Sequence, residues 1–162
     1  MAAVSLGAFF DRVLSLERDA AGLFGRLAGR LEGHRELAAL VRGLGEEERA
    51  DFELVGRFRD SLPRDLLAGA CDEAVVRQLE RAAGLLEGDP LAVLTDFEEA
   101  YEFIHEFENN QLLPLLRLLD RECRTERLDC TPLMMVVEQH LARLDAVATA
   151  AGDRARRRAI RL

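Results

Sequence analysis

Apolar residues recur at intervals of three and four along most of the chain and rarely at intervals of two, so the pattern predicts helices and no sheet. A first helix is expected from a Ser5 cap to about residue 32, where Glu32-Gly33-His34 reads as a turn. A second is expected from about 35 to 61, ended by Ser61-Leu62-Pro63. Residues 64 to 89 carry a weaker pattern, with Asp72 placed to cap a short helix over Glu73 to Leu86 before Gly88-Asp89-Pro90. A third long helix is expected over about 90 to 126, with room for a bend at Pro114, and Thr131-Pro132 should cap and begin a fourth. Two helical hairpins joined by a long crossover cannot each bury an apolar stripe alone. The expected fold is therefore all-α, a four-helix bundle over residues 1–152, followed at 153–162 by an Arg-rich segment that reads as a solvated helix end or basic tail.

The apolar stripes are interrupted by groups that do not belong in a core. Glu17 falls on the face of the first helix marked by Phe10, Val13 or Leu14, Ala21, Phe24 and Leu27. In the second helix Glu48 and Asp51 share a face and break the stripe of Val41, Leu44, Val55 and Phe58. Glu108 lies among Phe97, Tyr101, Ile104, Leu112 and Leu115, and His140 among Leu133, Val137, Leu144 and Val147. An ionised carboxylate in a low-dielectric core costs several kcal/mol even after relaxation, so four of them require protons, cationic partners or metal. Metal is the economical explanation; the plainer one places them at helix edges, with Asp51 paired to Arg49 or Arg12 and His140 a satisfied core histidine. Glu47, Glu138, Gln111 and His105 stand near the same level as further polar candidates.

The two halves of the chain are similar to each other: FFDRVLSLERDAAGLF aligns with AYEFIHEFENNQLLPLL, matching Glu17 to Glu108, and LGEEERAD aligns with MMVVEQH, matching Glu48 to Val137 and Asp51 to His140. Together these residues resemble the rubrerythrin-type, ferritin-like superfamily, whose diiron site takes a Glu from each of two helices and a Glu-x-x-His pair from each of the other two. The resemblance implies a ferritin-like bundle in which Glu17 and Glu108 are the single glutamates, Glu48 the Glu of the first pair and His140 the His of the second. Asp51 stands where the first pair should have His, and Val137 where the second should have Glu. It also implies iron, two ions or one per chain, or manganese, and peroxide or ferrous-iron chemistry. With no CxxC pair for a rubredoxin-like centre, electrons would have to come from another protein. The alternative is a catalytically silent bundle serving as a dimeric structural or interaction module, and a third reading is metal or pH sensing.

Composition narrows these readings. A chain of 162 residues, 49 % apolar and 32 % charged, suits one folded domain, and a net charge of -8 disfavours nucleic acid as a partner. Every basic residue is Arg, which weakens arguments from any single one. The three cysteines, Cys71, Cys123 and Cys130, are too sparse for a disulfide framework and read as small buried hydrophobes, with Cys123 and Cys130 close enough to a turn to pair on oxidation. No signal-like segment or long apolar run is present, so a cytoplasmic protein without membrane contact is expected. A homodimer is expected through apolar residues such as Phe9, Leu23 or Leu116.

Overall fold

Ser5 starts the first helix as expected: its hydroxyl accepts a hydrogen bond from the Ala8 amide at 3.1 Å, and α1 runs over Leu6–Arg30. After a turn, α2 spans Arg35–Ser61 and folds back along α1. The protein is described by a computed structural model covering residues 3–126 and 129–162, with residues 122–126 described by backbone alone. It is all-helical; among the described residues there is no strand, and no helix is long and apolar enough to cross a membrane.

Gly45 sets how closely the first two helices meet. A Cβ there would lie 3.2 Å from the Ala21 carbonyl oxygen and 3.3 Å from the Phe24 Cβ, so a side chain would force the helices apart one turn from Glu48. The crossover holds more structure than the single short helix expected. Helix α3 spans Arg64–Ala68, α4 spans Glu73–Leu85 behind an Asp72 cap, and a 3-10 turn covers Pro90–Ala92. Because α4 packs along the next long helix and against α1, Phe9 and Leu23 are buried within the chain, which removes them from the dimer surface assigned to them.

Helix α5 runs over Phe97–Glu126 with Pro114 inside it, so it begins seven residues later than Pro90 suggested. Asp96 accepts from the Glu99 amide at 3.1 Å while the Glu99 carboxylate reaches back to the Thr95 amide at 2.7 Å. This reciprocal cap satisfies amides that a start at Pro90 would leave open. Helix α6 spans Thr131–Ala151; Thr131 is its first residue rather than its cap, and Asp129 accepts from the Thr131 amide at 3.1 Å.

The Arg-rich end is neither frayed nor a continuation of α6. Gly152, at φ +82°, breaks the helix, Asp153 caps α7 (Arg154–Ala159), and the chain folds back onto the start of α5. The Phe97 amide donates to the Ile160 carbonyl at 2.9 Å, and buried Glu98 sits between Arg154, at 2.8 Å, and Arg157. Cys130 is buried and disulfide-bonded, against the expectation of small buried thiols; the Cys123 side chain lies outside the described residues.

Candidate metal centre

The long helices α1, α2, α5 and α6 each carry a polar residue into one buried cluster: Glu17, Glu48 with Asp51, Glu108 with Gln111, and His140. Each lies on the apolar face of its helix, so burying the stripe buries it too. Glu48, Glu108 and Gln111 are 0 % exposed, and His140 only 2 %.

His140 is the hub. Its Nε2 lies 3.1 Å from Glu48 Oε1 and 3.4 Å from Glu108 Oε1, yet neither oxygen is aligned for a hydrogen bond with the ring. Ligand atoms about 2.0–2.2 Å from a first-row ion, at angles of about 90–110°, lie about 2.8–3.6 Å from one another. One donor atom from each of Glu48, Glu108 and His140 falls within 4.8 Å of the others, a spacing that a small shift brings onto one ion. Both oxygens of Glu48, both of Glu108, Glu17 Oε2, Gln111 Oε1 and His140 Nε2 are buried without a hydrogen-bond partner. A core that leaves that many oxygens unpaired is costly unless a cation completes it. The donor set fits a divalent transition ion: imidazole and carboxylate together suit iron, manganese and zinc.

The far side of the ring is occupied differently. Asp51 Oδ2 lies 3.3 Å from His140 Nδ1, an acceptor that keeps a proton on Nδ1 and turns Nε2 toward Glu48 and Glu108, where a metal would have to displace the second ring proton. Asp51 therefore does not converge with the three ligand atoms, as its resemblance position implied; it orients the histidine. Glu17 is also displaced from the triad. Its Oε1 accepts a hydrogen bond from Gln111 Nε2 at 2.7 Å, and its carboxyl contacts that of Glu48. Gln111 shares a face with Glu108 three residues earlier, the spacing that made it legible. Val137 is buried among apolar side chains and supplies no ligand where the bridging Glu would stand.

The other reserves fall away. Glu138 and His105 are exposed, His105 beside Asn109 at 3.0 Å, and Glu47 is half-buried against Arg143. Arg12 and Arg49 do not pair with Asp51, whose partner is His140.

The electrostatics describe an acidic core that one imidazole compensates only in part. Burial, together with the Asp51 and Glu108 charges, raises Glu17 to about 7. Burial pushes Glu48 well up, and Glu108 and Glu17 add to it. Burial opposes a charge on His140, but Glu108 and Asp51 outweigh it and raise the imidazole to about 10. Without metal, the cluster stores protons; a divalent cation would take their place.

No family model, curated protein or solved structure matches this chain. The site's own chemistry therefore carries the functional reading. A groove of about 360 Å³ between α2 and α6 reaches the cluster from solvent, lined by Glu47, Asp51, Gln139, His140 and Arg143 among others.

Proposed function

We propose that the protein is a non-haem metal-binding bundle of the ferritin-like type, holding one divalent ion, iron or manganese, through Glu48, Glu108 and His140. The observation that carries this reading is the set of unpartnered donors, His140 Nε2 and both oxygens of Glu48 and Glu108, buried at ion-cage spacing. One ion rather than two is favoured because Val137 offers no bridge and Gln111 already ties one oxygen of Glu17. The ion would supply Lewis acidity and, if iron, a one-electron couple.

The chain's own residues define the rest of the chemistry. Glu48 and Glu108 supply two negative charges to offset a divalent cation, and Asp51 holds the His140 tautomer that presents Nε2. Glu17, its carboxyl against Glu48 and tied to Gln111, stands beside the three donors as a further carboxylate able to carry a proton there. Phe107, Leu112, Val137 and Leu144, close in sequence to Glu108 and His140, are buried in the hydrophobic core. This is a setting for peroxide or ferrous-iron chemistry with electrons from an external donor protein, the activity class that the ferritin-like resemblance suggests.

The deciding measurement is metal content after anaerobic reconstitution with ferrous iron and, separately, with manganese. About one tightly held ion per chain is expected. An ion-free protein after both treatments sinks the reading and leaves a catalytically silent helical scaffold.

A further inference from the structure

The groove between α2 and α6 grades from solvent to the cage. Arg143 and Glu47 form an ion pair whose side chains are 60 % and 24 % exposed, Asp51 is 11 % exposed, and His140 only 2 %. All four line the same space of about 360 Å³, with Ala50 and Ala142 among the small residues that keep it open. The groove of about 300 Å³ between α1 and α4 touches none of the cluster, so it offers no comparable approach.

A hydrated divalent ion cannot cross an apolar wall; it must exchange waters for protein oxygens in steps. Glu47 has one oxygen on Arg143 and another, Oε2, buried with no hydrogen-bond partner. Asp51 and His140 come next, and on the other side of the ring stand the unpartnered oxygens of Glu48 and Glu108. Resting on the metal-binding reading above, we infer that this groove is the portal for the cation, with Glu47 its outer ligand and Arg143 the competing cation it displaces. Asp51 receives the ion next, and a turn of the His140 ring passes it to the cage. Arg143 thus acts as a charge gate: it neutralises Glu47 until a divalent ion outcompetes it.

The test is cobalt(II) uptake by the metal-free full chain, followed by visible absorbance in a stopped-flow instrument. Glu47→Gln and the plug Ala142→Phe should each slow loading by about tenfold, while Arg143→Ala should quicken it by about threefold. Final content should stay near that of the unmodified chain. Ala50→Leu plugs the opposite wall and keeps the test intact if Ala142→Phe fails to fold. Unchanged rates in the charge variants and the folded plug, with cobalt still bound at the end, overturn the portal and leave the metal centre standing. No cobalt uptake by the unmodified chain overturns both.

Discussion

Two buried acidic sites in this protein have opposite electrostatics. At the C-terminal end, Glu98 is 3 % exposed and lies between Arg154 and Arg157, whose guanidinium also sits 4.9 Å over the Tyr101 ring. The Arg157 hydrogen bond holds the Glu98 carboxyl below its ordinary range despite burial. In the middle of the molecule, Glu17, Glu48 and Glu108 are just as buried but meet no arginine, and Glu17 and Glu48 are pushed up. The contrast lies in where the balancing charge comes from. Glu98 is matched by two guanidinium groups, which fasten α7 to α5; the central carboxylates share a single imidazole, and the rest of their charge is left to be balanced by protons or by metal.

The largest break in that comparison comes from Glu48→Ala with Glu108→Ala. Metal content should fall to background, because two of the three converging donors are gone, while Arg157→Ala leaves metal content unchanged. Plasma mass spectrometry on both proteins decides it; ion content retained by the double variant removes the proposed ligands.

The next contrast is pH dependence without metal. Glu17 has a folded pKa of about 7 against an ordinary 4.5, so its contribution is complete below pH 4.5 and is lost as pH rises through 7, about 3 kcal/mol in all. His140, raised from 6.5 to about 10, contributes fully below pH 6.5 and loses that contribution as pH rises through 10. Glu98 runs the other way: its lowered pKa gives stability above 4.5 that disappears as pH falls through the folded value. Urea midpoints should therefore fall from pH 4.5 to 7 in the metal-free protein, and saturating manganese should flatten or reverse that slope. A metal-free midpoint that climbs over this interval contradicts the buried acidic cluster.

A smaller effect separates the sites by sign. Glu48→Leu with Glu108→Leu should stabilise the metal-free fold by about 2 kcal/mol, since apolar groups replace buried carboxylates that share one imidazole. Arg154→Ala with Arg157→Ala should destabilise it by about 1 to 2 kcal/mol, since Glu98 then lacks its cations. Equal signs in chemical denaturation erase the distinction. Smallest is Asp51→Asn, for which metal affinity should drop about tenfold with stoichiometry kept, because the histidine loses its orienting carboxylate; unchanged affinity by titration calorimetry makes Asp51 a packing residue.

Much of this was legible along the chain. Glu17, Glu48, Glu108 and His140 each replace an apolar residue at helical spacing, and Gln111 follows Glu108 at three, so their common burial follows from periodicity. Less visible was the start of α5, where the Asp96 and Glu99 cap outcompetes a proline six residues earlier. The tail misled for another reason: a run of arginines looks solvated until buried Glu98 is found beneath it.

The order of apolar and polar residues by itself determined an all-helical chain, most helix starts and the polar residues drawn into the core, because periodicity and caps are local properties. Tertiary structure alone decided that Asp51 meets Nδ1 rather than the Glu48, Glu108 and Nε2 group, that Gln111 ties Glu17, that α4 covers Phe9, and that α7 clamps Glu98. Those outcomes depend on how far each helix is rotated and shifted against its neighbours, which packing of the whole core sets and no local stretch of sequence encodes.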